Sequence, residues 1–184
     1  MLLQVGRCKI ESILGDITEQ LDMVAIVNAA NAGLRRGGGV AGAIHNAAGP
    51  ELEKECQDLA PIKPGEAVIT KAYSLPNQYV IHCLGPVYGV DKPEDVLLAN
   101  CYRNALHLAD SNQITSIAFP AISTGIFGYP IERATETALK TTYQIIATLR
   151  NITHIRYVLF SPNDLRIYEN KLAEIFDKKA AMDD

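Results

Sequence analysis

The chain has 184 residues, of which 48% are hydrophobic and 21% charged, and its formal net charge is −4. This composition is typical of one globular domain and excludes a disordered or fibrous protein. Lysines and arginines are scattered along a chain of negative net charge, which argues against general nucleic-acid binding.

No apolar run approaches the ~20 residues that a membrane span needs, and the N-terminus lacks the pattern of a signal peptide. We therefore expect no membrane association and a cytoplasmic location. The four cysteines have no close-paired spacing, so we expect them to be reduced core residues, with neither a disulfide framework nor a metal site. The sequence predicts no cofactor. These cysteines are Cys8, Cys56, Cys83 and Cys101.

Strands and helices alternate along the chain. Apolar runs rich in β-forming residues predict strands at 10–14, 23–28, 66–72, 79–84, 115–122 and 155–160. Helical patterns predict helices at 40–57, 93–111, 130–149 and 163–178. This alternation predicts a single α/β domain over residues 1–184, with a three-layer α/β/α architecture and a mixed, largely parallel central sheet. We expect 178–184 to be a frayed tail.

Two predicted strands are followed by loops rich in glycine. The first glycine loop, residues 29–39, ends in three consecutive glycines, and the second, residues 123–130, reads STGIFGYP. Each loop leads directly into a helix, whose N-terminus exposes unpaired N–H groups and about half a positive charge. Two such loops that face one crevice would present two partial positive charges to one anionic group, and this arrangement suits a diphosphate. The alternative is that the glycines only form tight turns.

Two phosphate-binding motifs compete for these glycines. A Walker loop requires Gly-Lys-Ser or Gly-Lys-Thr, which neither loop contains. The dinucleotide pattern G-x-G-x-x-G occurs at Gly37, Gly39 and Gly42, but eight residues separate Asn28 from Gly37, where a Rossmann turn is tight. An NAD-linked oxidoreductase therefore remains a weak competitor.

Four motifs in this order resemble the macrodomain family, whose members bind or hydrolyse ADP-ribose. They are GDIT at 15–18, VNAAN at 27–31, GGGVAGAIHNAAGP at 37–50 and PAISTGIFGYP at 120–130. The resemblance extends from about Cys8 to Phe176 and is closest to the MacroD-type and bacterial branch. It implies the macrodomain fold. The compact solitary domain is typical of a bacterial protein.

The resemblance also assigns the adenine end of the ligand. It implies that the Asp16 carboxylate accepts a hydrogen bond from the adenine amino group and that Ile17 donates its backbone N–H to the ring. Phe160 matches the aromatic residue that lies against the adenine face. The alternatives are that Asp16 is an ordinary turn or helix-cap residue and that Phe160 is a core aromatic.

For the rest of the ligand, the resemblance implies that Asn31 hydrogen-bonds the distal ribose and that Asn28 braces the loop from behind. A turn role is the alternative for both asparagines. The two loops are expected to wrap the diphosphate, with Phe127 against the distal ribose. The loop residues assigned to the ligand are Gly37, Gly38, Gly39, Val40, Ser123, Thr124, Gly125, Ile126 and Phe127.

The sequence departs from the MacroD-type pattern at Ala41, where those hydrolases carry an aspartate that activates or orients water. Viral macrodomains share GGGVAG and are regarded as hydrolases in which a substrate phosphate holds the water. We therefore expect a hydrolase that releases ADP-ribose from modified Glu or Asp side chains, or deacetylates O-acetyl-ADP-ribose. The alternative is a non-catalytic reader of ADP-ribosylated proteins.

The catalytic candidates are Asn31 and His45. His45 lies one helical turn beyond Ala41 and is a candidate acid or base, with a locally satisfied histidine as the alternative. Arg35 and Arg36 precede the glycines, and they either shield phosphate charge or are simply solvated.

Overall fold

In the computed structural model, which describes residues 1–177, seven strands form a single sheet in the order β1-β2-β7-β6-β3-β5-β4. The two edge strands, β1 and β4, are antiparallel to their neighbours, and the four inner pairings are parallel. This confirms the mixed, largely parallel sheet. The strands are β1 (Leu2–Val5), β2 (Cys8–Leu14), β3 (Ala25–Ala29), β4 (Ala67–Lys71), β5 (Tyr79–Cys83), β6 (Ser116–Phe119) and β7 (His154–Leu159).

Helices cover both faces of the sheet, and this gives the three layers that the sequence predicts. One buried cluster joins the sheet to α1 and α2, and a larger one joins it to α3, α4 and α5. The helices are α1 (Gly39–Ala48), α2 (Pro50–Gln57), α3 (Glu94–Ser111), α4 (Ile131–Ile145) and α5 (Pro162–Leu172). None of the helices within residues 1–177 is long and apolar enough to cross a membrane.

The strands and α-helices differ in number from the sequence prediction in two places. The helix predicted at 40–57 is two helices, because Gly49 adopts a φ of 89° and Pro50, which has no N–H, begins the second. The second difference is β1, a short and largely exposed edge strand that pairs with β2 and is not among the predicted strands. The predicted tail at 178–184 lies outside the described residues.

The interior contains a buried histidine whose two ring nitrogens are both paired. His82, on β5, is fully buried. Its Nδ1 lies 3.1 Å from Asn28 Nδ2 and its Nε2 lies 2.9 Å from Thr70 Oγ1. Asn28 Nδ2 can only donate, so the proton of the neutral ring lies on Nε2 and is donated to Thr70. Burial, with a smaller contribution from His45, lowers the pKa of His82 to about 3.

This network predicts a pH dependence of stability. In the unfolded chain His82 binds a proton below pH ~6.5, whereas in the folded protein it stays neutral down to a pH near its lowered pKa. The folded protein therefore loses stability as the pH falls below the pKa that His82 has in the unfolded chain. We expect His82→Gln to remove about 1 kcal/mol per pH unit from the slope of unfolding free energy between pH 6 and pH 5.

Urea titrations at pH 7, 6 and 5 measure this slope. His107→Gln, at an exposed position of α3, is the matched control. His45 and His154 remain in all three proteins, so the difference between slopes isolates His82. Equal slopes for the wild type and His82→Gln would contradict a neutral buried ring.

Candidate functional site

A cleft of about 200 Å³ lies between the two glycine loops at the carboxyl edge of the sheet. The loops meet there because β3 and β6 are parallel neighbours, with Ala25 opposite Ile117, so both chains leave the sheet on the same side. The cleft is lined by Ala29, Ala30, Asn31, Gly37, Gly38, Gly39, Val40, Ala41, Gly85, Ala121, Ile122, Ser123, Gly125, Ile126 and Phe127.

The N-terminus of α1 forms one wall of this cleft. Gly38 is its N-cap and has no side chain, so the first N–H groups of the helix face the cleft without a side-chain partner from residues 1–177. A Cβ atom on Gly42 would lie 2.4 Å from the carbonyl oxygen of Gly37. Glycine at position 42 is therefore what allows the helix to pack so closely beneath the loop.

The second glycine loop forms the opposite wall. Its turn is closed by hydrogen bonds from Gly128 N to Gly125 O (3.0 Å) and from Tyr129 N to Ser123 O (2.9 Å). The backbone N–H groups of Gly125, Ile126 and Phe127 donate to no group within residues 1–177. A second set of amides is thus free to meet an anion.

Gly85, which follows β5, packs against this wall. It is not among the site residues predicted from the sequence. A Cβ atom there would lie 2.1 Å from Ser123 Oγ and 2.7 Å from Ile122 Cγ2. Ser123 itself has a φ of 67°, which is uncommon for a residue other than glycine. The Gly-Pro pair directly after a predicted strand was the available sequence signal.

The two walls approach each other at the rim of the cleft. Ile126 is 90% exposed, and its Cδ1 would lie 3.8 Å from a Cβ atom added to Gly38. Phe127, one residue further on, is half-buried and packs against the core beneath α1. The rim is therefore apolar, while its backbone supplies N–H donors.

None of the described residues that line the cleft carries a charge. Ala41 lies in its wall and is 5% exposed, so the position of the missing aspartate does face the cleft. An anionic ligand would be held by amides and helix dipole, and no carboxylate in the lining could accept a proton from water.

Asn31 lines the cleft and also holds the first glycine loop together. Its Oδ1 accepts from Arg35 N at 2.9 Å, and its Nδ2 donates to Arg35 O at 2.8 Å. One N–H and one lone pair of this amide are left for a ligand. Asn31 is thus a loop brace and a cleft residue at the same time.

Two predicted site residues lie behind the cleft. Asn28 is fully buried and donates to His82. His45 is 5% exposed and does not line the cleft, and neither of its ring nitrogens has a hydrogen-bond partner within residues 1–177. Burial lowers the pKa of His45, Glu53 opposes this effect, and Arg36 adds to it. The structure therefore keeps His45 out of contact with the cleft.

His45, Cys56 and His82 bring three possible metal-ligand atoms within 4.8 Å of one another. Both nitrogens of His82 are already paired with Asn28 and Thr70, and burial raises the pKa of the Cys56 thiol to about 11. Metal binding would have to break one of these hydrogen bonds and deprotonate the thiol. We therefore assign no metal to this cluster.

The residues predicted for adenine lie at the same edge of the sheet, beyond β2 and β7. Gly15 N donates to Leu159 O at 3.0 Å, which brings these two strand ends together. Asp16 Oδ1 accepts from Thr18 N (2.8 Å) and Thr18 Oγ1 (2.7 Å), so this residue caps a short helical turn, and its Oδ2 has no hydrogen-bond partner within residues 1–177.

The adenine-end side chains differ in exposure. Ile17, next to Asp16, is buried, whereas Phe160 is 90% exposed and therefore is not a core aromatic. Thr124, in the second glycine loop, turns its hydroxyl to Ala121 O at 2.8 Å and does not line the cleft.

Comparison with known proteins agrees with this geometry. The chain is 48% identical over 168 residues to the O-acetyl-ADP-ribose deacetylase of Klebsiella pneumoniae, covering 89% of this chain and 95% of that protein. It is 46% identical over 179 residues to the ADP-ribose glycohydrolase MACROD2 of Xenopus laevis, covering 96% of this chain and 43% of the relative, and so spans less than half of that protein.

The fold is also that of a solved relative. The Oceanobacillus iheyensis macrodomain with ADP superposes with a TM-score of 0.92 at 42% identity, covering 97% of each chain. Residues 27–138, which include both glycine loops, match the family model described as Macro domain. The chain therefore belongs to the macrodomain family.

Proposed function

We propose that the protein binds ADP-ribose and hydrolyses the bond that joins it to a modified glutamate or aspartate side chain, or deacetylates O-acetyl-ADP-ribose. The observation that carries the proposal is the uncharged cleft with free backbone N–H groups on both walls. Relatives named for ADP-ribose chemistry, at 46% and 48% identity, support it. The cytoplasm is the location that we propose.

In this proposal the ligand lies along the carboxyl edge of the sheet. Adenine lies at Asp16, Ile17 and Phe160, beyond β2 and β7. The diphosphate lies between the two glycine loops, where the dipole of α1 and two sets of amides meet it. The distal ribose lies against Asn31 and Phe127, which both line the cleft.

The proposed chemistry needs no carboxylate from the protein. In release from a modified side chain, water attacks the anomeric carbon of the distal ribose, the bond from that carbon to the ester oxygen breaks, and the acceptor leaves as a carboxylate. The water proton passes to an oxygen of the bound diphosphate. Positioning water in this way reduces the cost of orientation. We assign no proton transfer to His45, which lies outside the cleft.

A second candidate function is a non-catalytic reader of ADP-ribosylated proteins, and Ala41 in the cleft wall is the observation that favours it. The structure does not support an NAD-linked oxidoreductase. A Rossmann fold would place the acidic residue that binds the cofactor ribose about 20 residues after the glycines, at the end of a second strand. In this protein, residues 55–57 lie within α2.

Hydrolysis is tested with a protein mono-ADP-ribosylated on glutamate. We expect the wild type to release ADP-ribose, and Asn31→Ala to lower kcat by at least tenfold with a smaller effect on Kd for ADP-ribose, because positioning matters most in the transition state. Asn112→Ala, at the exposed end of α3, is the matched control. Tight ADP-ribose binding by the wild type without release would identify a reader.

Ala41→Asp tests whether the water is held by the substrate. This substitution places a carboxylate at the cleft wall, where it can orient or deprotonate water. If the carboxylate mechanism fits this scaffold, we expect kcat in the same assay to rise by about tenfold or more. An unchanged or lower kcat, with Kd for ADP-ribose preserved, would show that a protein carboxylate adds nothing to catalysis here.

A further inference from the structure

A groove lined by the first glycine loop and the segment around the end of α2 adjoins the ligand cleft. It has a volume of about 680 Å³ and shares Asn31 with the cleft. The other residues that line it are Gly33, Arg35, Gln57, Ala60 and Pro61. The groove therefore begins where the proposed distal ribose ends.

Hydrogen bonds to backbone groups hold the walls of this groove together. Ile62 N donates to Ala32 O at 3.0 Å, which ties the segment after α2 to the first glycine loop. Asn31 fixes the backbone of Arg35 through two hydrogen bonds. The groove is thus preformed, and a chain that binds in it does not have to order the loop first.

The lining of the groove carries a positive charge, which Arg35 supplies. Arg35 lines the groove, and its side chain packs along Gly33, whose added Cβ atom would lie 3.5 Å from Arg35 Cγ. Neither Arg35 nor its exposed neighbour Arg36 forms a salt bridge with any group in residues 1–177. No acidic residue lines the groove, although the whole chain has a net charge of −4.

The orientation of a modified protein bound in the cleft connects these observations. If the proposed function holds, the bond to the acceptor side chain starts at the anomeric carbon of the distal ribose, beside Asn31. The polypeptide that carries the modified residue must leave the cleft at that end. The adjoining groove offers it the guanidinium group of Arg35, which has no salt-bridge partner in residues 1–177, and the exposed amide of Gln57, which has no hydrogen-bond partner there. The exposed side chain of Arg36 follows Arg35 in the chain.

We propose that this groove binds the polypeptide next to the modified residue and that Arg35 and Arg36 favour acceptors with acidic flanking residues. The inference rests on the proposed function, because it takes the position of the distal ribose from it. Guanidinium groups pair with carboxylates through paired N–H donors, and each exposed pair contributes a modest free energy. The preference is therefore a matter of selectivity rather than of overall affinity.

The test compares three ligands in a binding titration. Two are peptides of equal length joined to ADP-ribose through a hydrolysis-resistant amide, one with aspartate and glutamate flanks and one with lysine flanks. The third is free ADP-ribose. We expect the wild type to bind the acidic peptide about fivefold or more tightly than the lysine peptide, and 0.5 M salt to reduce this ratio.

The double variant Arg35→Glu/Arg36→Glu is expected to abolish or reverse this ratio. Arg150→Glu/Arg166→Glu, which adds the same charge at two exposed positions elsewhere, is the matched control and should retain it. Equal affinity of the wild type for both peptides would overturn the inference. So would a loss in the double variant that is equal for all three ligands, since the arginines would then act on ADP-ribose itself.

The free ADP-ribose arm separates this inference from the proposed function. If the wild type binds free ADP-ribose and has the same affinity for both peptides, only the proposal that the groove binds the polypeptide is overturned. Absence of ADP-ribose binding by the wild type overturns the proposed function and the groove together.

Discussion

The parallel pairing of β3 with β6 is the constraint on which the site depends. It brings the ends of two strands to the same edge of the sheet and so places both glycine loops around one cleft. The helix that follows β3 then directs its N-terminus into the space between them. A pair of loops on opposite edges could not present their N–H groups to one ligand, whatever their glycine content.

Close backbone contact is the second requirement. Gly42 lies against the Gly37 carbonyl and Gly85 against Ser123, in places where any Cβ atom would collide. The first contact packs α1 against its own loop, and the second packs the segment after β5 against the second loop. The cleft therefore achieves positive potential through dipoles and amides instead of through cations. Arg35 lies outside the cleft, in the adjoining groove, at the end where an acceptor would leave.

Much of this arrangement could be predicted from the sequence. Strand order along the chain and glycines at strand ends predict where the loops lie, because parallel strands share a carboxyl edge. The position of His45 relative to the cleft could not be predicted from the sequence. Helical spacing places His45 on the same face as Ala41, but the four-residue step between these positions advances about 6 Å along the axis, and α1 leads away from the cleft. Gly85 and the loop-bracing bonds of Asn31 depend on contacts between distant segments, which spacing does not encode.

The central claim is that the two glycine loops hold the diphosphate, and a calorimetric titration with ADP-ribose tests it most directly. A Cβ atom on Gly125 would meet nothing within 4 Å, so Gly125→Glu should fold normally while its carboxylate occupies the anion site. Gln113→Glu adds the same charge at the opposite edge of the sheet. We predict that the wild type and Gln113→Glu bind ADP-ribose and that Gly125→Glu loses at least a hundredfold in affinity. Unchanged binding by a folded Gly125→Glu protein would contradict the account.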